Sequence, residues 1–312
     1  VIDMPTAQLI ALDWGSSSLR AYLMDGAGQV LQERSSDSGA SRLSGGAAAF
    51  DAALMGLAGD WLRAHPGVPV FACGMVGSAH GWLTAPYAET PVSLNALHHH
   101  TVTVRCADGT RVRIVPGVMH RPTGAAPDVM RGEETQVAGV LAADPALADH
   151  ACIVLPGTHS KWVQVEGGRI EAFSTRMTGE LFAVLREHSV LGRLMGAATA
   201  FDGEAFDRGL RSARAHAGGD LAGQLFSVRS LALTGELAPS AGADYLSGLL
   251  IGNEVAAGVS SLADSLPLVL AGDTALCARY LRAFEAWGRA PARPVSPLAA
   301  AQGLWTIAQR AR

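Results

Sequence analysis

The sequence predicts an α/β protein of two similar domains, each a mixed sheet flanked by helices, facing one another across a cleft. Three observations lead there. A strand–turn–strand meander with a turn of Gly and hydroxyl residues opens at Leu9 and returns at Cys152, and a repeat on this scale argues for duplicated domains. Short apolar strand runs and helix-period segments are interspersed around each copy. A chain of 312 residues is also comfortable for two cores. The division is placed between 1–146 and 147–312.

The first copy, LIALDWGSSSLRAYLMD, runs from Leu9 to Asp25. Its apolar run breaks at Gly15, Ser16, Ser17 and Ser18 and resumes through Leu19, Tyr22 and Leu23. Backbone N–H groups and small hydroxyls can crowd around an anion at such a turn, which makes it a candidate phosphate clamp. Asp13 stands just before the turn and would face the same anion, an arrangement that calls for an intervening cation, magnesium held through water. A plain polar hairpin with Asp13 as a turn cap fits the same residues, and the recurrence of the pattern favours the anion.

The second copy, CIVLPGTHSKWVQVEGGRIEAFSTR, repeats the plan with Gly157, Thr158, His159 and Ser160 as the turn. Lys161, the only lysine of the chain, follows directly. A compact ammonium on a flexible stem suits a moving phosphoryl group, although a surface lysine at a strand start is the plainer alternative.

In chain order, Gln29 to Ser35 is a third strand, and a Ser/Gly-rich loop extends to Gly46. Ala47 to Ala64 is an amphipathic helix that presents Phe50, Leu54, Leu57, Trp61 and Leu62. Val68 to Cys73 is a buried strand that empties into Gly74, Met75, Val76, Gly77 and Ser78. Loops after core strands are where open α/β sheets present ligands, so this loop, with His80 and Trp82, is a candidate acceptor-substrate site. Glycines that merely permit tight packing are the alternative. Thr84 to Leu97 is Pro-punctuated and irregular, and His98-His99-His100 is a solvated strand start, since consecutive histidines alternate faces. Two strands between Val102 and Val115 join at Asp108-Gly109.

Pro127 to Leu141 reads as a helix capped by Asp128, with Arg131, Glu133 and Glu134 near its start. One of the two glutamates could take a proton from an attacking hydroxyl. Acidic residues in a first turn also simply complement the helix dipole.

The second half is more helical: a helix from Thr178 through Leu194, then segments at about Glu204–His216, Leu221–Leu233 and Ala241–Leu262. In the last of these, Gly248, Gly252, Ala256 and Gly258 allow another backbone to come close, as at a domain hinge. A strand from Leu266 to Ala271 ends in Gly272-Asp273 before a helix from Thr274 to Trp287, a place for a nucleotide's base or sugar. Pro291 to Pro297 connects to a final helix, Leu298 to Gln309.

The net charge of -4 predicts no attraction to nucleic acid, and no apolar run reaches the roughly 18 residues of a membrane span. The N-terminus lacks a signal pattern. Cys73, Cys106, Cys152 and Cys277 form no C-x-x-C pair and read as buried free thiols in a reducing cytoplasm.

DWGSSSLR, LPGTHSKW and LAGD resemble, in that order, the first phosphate, second phosphate and adenosine motifs of the actin-like (ribonuclease H-like) sugar kinase superfamily. With CGMVGS, MRGEETQ, STRMTGELFA, TGEL and GDTALCARY, the chain is similar to the 2-dehydro-3-deoxygalactonokinase family along its length. The resemblance implies an ATP-dependent kinase, with magnesium, acting on the terminal hydroxyl of 2-dehydro-3-deoxy-D-galactonate in galactonate catabolism. It implies that Asp13, Gly15 to Ser18 and Arg20 face the transferred phosphate and its metal, that Gly157 to Lys161 form the second phosphate loop, and that Gly272 and Asp273 meet the nucleoside. Relatives keep an acidic base at the start of a connecting helix, mostly Asp, where this chain has Glu133 and Glu134. One or more of Arg20, Arg131 and Arg176 would pair with the substrate carboxylate.

The partners implied are a small sugar acid and ATP, with no nucleic acid and no membrane. The oligomeric state, a homodimer included, is left open. Two other readings stand beside the kinase: a phosphatase of the same superfamily, because GEE on a helix also resembles a water-activating motif, and a non-catalytic actin-like sensor or filament protein.

Overall fold

The computed structural model describes residues 6–197, 200–216, 219–289, 293–295 and 298–311. The chain forms two compact units: Val1–Ala151, Val163–Phe173 and Ser296–Arg312 in one, Cys152–Trp162 and Ser174–Val295 in the other.

In the first unit β1 (Leu9–Trp14), β2 (Leu19–Met24) and β3 (Val30–Ser36) form the expected antiparallel meander. After α1 (Ala47–Ala64), β4 (Val70–Gly74) lies parallel to β1. The chain continues through β5 (Tyr87–Glu89), β6 (Val92–Ser93), β7 (Val102–Arg105), β8 (Arg111–Ile114), β9 (Gly117–His120), β10 (Asp128–Met130) and α2 (Glu133–Ala143). One sheet has the order β3-β2-β1-β4-β8-β7 and a small second sheet the order β10-β9-β5. Central position explains why β1 is apolar nearly throughout: Ile10, Leu12 and Trp14 join Phe50, Leu54 and Trp61 of α1 in one core.

The rest of the chain supplies β11 (His150–Leu155), β12 (Ser160–Glu166), β13 (Arg169–Arg176), α3 (Thr178–His188), α4 (Gly203–Ala215), α5 (Leu221–Leu233) and α6 (Gly242–Val259). Then come β14 (Leu268–Ala271), α7 (Thr274–Ala286), β15 (Arg293–Val295) and α8 (Ala299–Arg310). In the second unit β14 is parallel to β11, as β4 is to β1 in the first, and β15 is parallel to β14. Its core gathers Val154, Trp162, Phe206, Val255, Leu270 and Phe284. In the first unit, β13 pairs with β6 through Arg169↔Ser93 and Ile170↔Val92.

Several local expectations are corrected. Asp128 does not cap a helix: it begins β10, and α2 starts at Glu133 behind Gly132, whose φ of 109 ends the extended backbone. His98 to His100 close a 3-10 helix that starts at Leu94, not a strand, and the stretch expected to be irregular contains β5 and β6. The helix from Thr178 ends at His188, and Gly192–Leu194 is a separate 3-10 turn. The small residues of α6 do bring in a backbone, but it is that of α4 in the same unit: a Cβ on Gly248 would stand 2.0 Å from the Phe206 carbonyl oxygen. Part of the Pro291 to Pro297 connector lies outside the described residues. All four cysteines are buried and free, and among the described residues no helix is long and apolar enough to cross a membrane.

Candidate functional site

The first unit gathers its candidates at one end of the large sheet, where the parallel strands β1 and β4 both finish. Asp13 is paired with Arg20 on β2 and with Cys73 on β4. Burial pushes its carboxyl upward, and the Arg20 charge partly offsets this. The turn after β1 closes through Gly15 N–H to the Ser18 carbonyl at 3.0 Å, leaving Ser16 and Ser17 exposed.

A loop that the sequence marked only as Ser/Gly-rich holds this turn from behind. Ala40 N–H donates to the Gly15 carbonyl (2.9 Å), Ser41 N–H to that of Ser16 (3.0 Å), and Trp14 Nε1–H to that of Ser38 (2.8 Å). Between them Gly39 is pressed so close that a Cβ would lie 2.2 Å from the Ser17 carbonyl carbon. Gly39 is thus a site-shaping residue whose only sequence signal was a glycine in a polar loop.

Gly74 ends β4 with φ 88, and a Cβ there would meet the Trp14 carbonyl oxygen at 2.7 Å. The chain then makes a 3-10 turn over Met75–Gly77, with Val76 and Gly77 buried and Met75 and Ser78 half-buried. Trp82 lies in the core beside Trp14 and Phe50, with ring centroids 5.8 and 6.0 Å away, while His80 is exposed.

The start of α2 abuts the same place, for a Cβ on Gly132 would be 3.1 Å from Gly74 Cα. Glu133 is half-buried and accepts from the Arg131 N–H at 2.9 Å. Glu134 is fully buried; it accepts from Gly132 N–H (2.7 Å) and from the Thr135 hydroxyl (3.0 Å). Burial, then the neighbouring Glu133 charge, pushes the Glu134 carboxyl up to about 8. Burial and the charges of Asp13 and Glu134 likewise hold the Cys73 thiol well above its usual range. Asp13, the Ser turn, the Gly74 to Ser78 loop, Arg131 and the two glutamates are therefore brought together.

In the second unit the turn after β11 carries Gly157, Thr158 and His159. It is seated on the first turn of α3: Glu180 N–H donates to the Thr158 carbonyl (2.9 Å), and a Cβ on Gly179 would be 2.3 Å from the Gly157 carbonyl oxygen. His159 pairs with the Glu180 carboxylate. Lys161 is buried, 4% exposed, and donates to the Thr175 hydroxyl at 2.8 Å.

Behind the turn runs a buried polar chain. The hydroxyls of Ser160 and Tyr280 are 2.9 Å apart, Tyr280 donates to Glu254 at 2.7 Å, and Trp162 Nε1–H donates to the other Glu254 oxygen at 2.8 Å. Burial raises the Glu254 carboxyl, and its hydrogen bonds and the Arg176 charge work against that.

A pocket of about 440 Å³ opens beside the turn, bounded by Gly157, the first turn of α3, the start of α6 and one side of α7. Its polar wall is Arg279, which pairs with Asp244 at 2.9 Å, donates to the Ser247 hydroxyl at 2.9 Å and lies 4.6 Å over the Phe201 ring. Gly272 sits against Pro156 at the β11 end, and Asp273 caps α7 by accepting from Leu276 N–H at 2.9 Å. Leu276 of that turn, not Gly272 or Asp273, lines the pocket. The pocket-lining residues of α6 and α7 were missed because they sit on ordinary helix faces that carry no local motif.

The family model described as 2-keto-3-deoxy-galactonokinase matches residues 13–307. The chain belongs to the 2-keto-3-deoxy-galactonokinase family. It is 39% identical over 289 residues to the 2-dehydro-3-deoxygalactonokinase of Escherichia coli, covering 91% of each chain. To the probable 2-dehydro-3-deoxygalactonokinase of Rhizobium meliloti it is 37% identical over 282 residues, covering 89% of each.

Among solved structures, a protein of Sinorhizobium meliloti provisionally named a 2-dehydro-3-deoxygalactonokinase aligns at a TM-score of 0.81 and 34% identity, over 96% of this chain and 98% of that one. Component A of the (R)-2-hydroxyglutaryl-CoA dehydratase of Acidaminococcus fermentans shares the fold at a TM-score of 0.52 and 12% identity, over 98% and 100%. The resemblance read from separated motifs is thereby borne out, and so is the α/β, actin-like fold class. For this family member the wall of the pocket and the Gly39 clamp add to the residues that the motifs supplied.

Proposed function

We propose that this chain transfers the terminal phosphoryl group of ATP to the 6-hydroxyl of 2-dehydro-3-deoxy-D-galactonate, a step of galactonate catabolism in the cytoplasm. The observation that carries the reading is family membership along nearly the whole chain. We read the two turns as belonging to duplicated domains, 1–146 and 147–312, each with a meander strand beside a parallel neighbour.

Phosphoryl transfer needs positioning and donors around the phosphate oxygens more than covalent chemistry. The N–H groups and hydroxyls of Ser16 to Ser18 and of Gly157 to His159 supply such donors, the second set at the start of α3, where the helix dipole favours an anion. The 440 Å³ pocket beside Gly157 takes the nucleoside.

Among the described residues no group of three or more His, Cys, Asp or Glu side chains is placed to hold a metal. A divalent ion would then lean on one carboxylate and on phosphate and water oxygens, the usual habit of magnesium. Asp13 fits, since its carboxyl is disfavoured as an anion by burial that a cation would offset. Bound there, magnesium would neutralise charge on the phosphate oxygens.

Of the two glutamates, Glu133 is the proton acceptor in this reading. Its side chain is half-buried, whereas Glu134 is fully buried between Gly132 N–H and the Thr135 hydroxyl.

A coupled ADP-release assay over a panel of 2-keto-3-deoxy sugar acids tests the proposal. ADP release that depends on a C6 keto-deoxy acid is expected; phosphate release without an acceptor would point to a phosphatase, and no turnover at all to a sensor or filament protein.

A further inference from the structure

Three arginines compete for the carboxylate end of the sugar acid, and their surroundings separate them. The charge of Arg20 acts on Asp13 across the hairpin, and that of Arg176 acts on Glu254. Among the described residues no carboxylate forms an ion pair with Arg131, and its Nε and Nη1 are buried without a hydrogen-bond acceptor.

The guanidinium is nevertheless held in place. Nη2 donates to the Ala85 carbonyl at 2.9 Å, and the carbon Cζ lies 4.4 Å over the Tyr87 ring. Nη1 reaches the Met75–Gly77 turn, close enough that a Cβ on Gly77 would be 3.0 Å from it. A half-buried cation whose Nε and Nη1 donors are buried and unfilled gains when an anion completes it. One carbonyl and one aromatic face do not supply that charge. Arg131 is also two residues from Glu133 on the strand-to-helix junction that abuts Gly74.

We infer that Arg131 binds the carboxylate of the sugar acid and so selects an acid over a neutral sugar, an inference that rests on the kinase reading above. The ammonium of lysine would keep the charge but lose the planar contact with Tyr87 and the spread of donors.

The test is calorimetric titration of the intact chain, without nucleotide, with 2-keto-3-deoxy-galactonate and with its uncharged primary amide, for wild type, R131K and R131Q. Acid binding is expected to weaken roughly 10- to 100-fold in R131Q and less in R131K, with the amide binding all three alike. If R131Q binds the acid as tightly as wild type, or loses acid and amide equally, Arg131 is a strut for the turn and the inference fails. Should R131Q melt below the assay temperature, R131K carries the same comparison. ADP release by wild type separates the two readings. Turnover with an unchanged acid-to-amide preference in the variants sinks this inference alone, Arg131-dependent binding without turnover sinks the kinase alone, and an acid that wild type does not bind sinks both.

Discussion

A Cβ on Gly303 of α8 would stand 1.8 Å from the carbonyl oxygen of Thr135 on α2, and one on Gly139 would stand 1.9 Å from the carbonyl oxygen of Ala299. The two helices therefore cross backbone to backbone, and the last helix of the chain fixes the helix whose first turn carries Glu133 and Glu134. Gly303→Ala should lower stability by about 1–3 kcal/mol through overpacking. Gly56→Ala on α1, where nothing lies within 4 Å, should raise it by about 0.5–1 kcal/mol. Denaturant melts of the two variants check this, and a Gly303→Ala protein as stable as wild type would mean that the helices do not touch there.

That crossing shows which parts of the molecule were legible in the sequence. Asp13, the Ser turn and the Gly74 loop could be read because strand, glycine and hydroxyl follow one another within a few residues. A continuous apolar run likewise marked β1, alternation marked β2, and a helical period marked the buried face of α1. Gly303 looked like any glycine in a helix, and its reason is Thr135, far away along the chain. Gly39, Arg279 and Ser247 are of the same kind: each acts through a neighbour that only tertiary packing supplies. Asp128 misled for a local reason, being a good cap residue in front of a helix-period run. The positive φ at Gly132 places the helix start later.

The paired glutamates should part company under substitution. Glu133→Gln is expected to lower kcat by about 100-fold or more, as loss of a general base does. Glu134→Gln should be much milder near pH 7, because a carboxyl raised to about 8 is already largely protonated there. The reverse order of effects in steady-state assays would make Glu134 the base.

Glu134 also ties stability to pH. Its folded value lies near 8, against 4.5 for the free side chain, so from about pH 4.5 to 8 the folded state holds a proton that the unfolded state has released. This group's contribution therefore falls as pH rises through that window, and levels off above it. Melting temperatures of wild type minus Glu134→Gln should decline from pH 5 to pH 8. A flat difference would show that the carboxyl is not protonated in the folded state.

Asp13→Asn keeps the shape of the side chain and removes its charge. If Asp13 supports a magnesium ion on the phosphates, kcat should fall roughly 100-fold or more while binding of the sugar acid changes little. The magnesium concentration needed for half-maximal rate should rise as well. Equal losses in turnover and in sugar-acid affinity would remove Asp13 from that role.

Tyr280 links the second turn to the pocket proposed for the nucleoside, since its hydroxyl meets both Ser160 and Glu254 and the residue lines the cavity. Tyr280→Phe preserves the packing and removes one of the donors to the buried Glu254 carboxyl, at a cost of about 1–3 kcal/mol. Glu254 retains Trp162 Nε1–H, so the core should hold. With Ser160 released at the end of the turn, KM for ATP is expected to rise several-fold while KM for the sugar acid stays put, because the Gly74 to Ser78 loop, Arg131 and Glu133 belong to the other unit. A variant that loses stability with both KM values intact would confine the network to folding. One in which only the sugar-acid KM moves would mean that the pocket is not where the nucleotide binds.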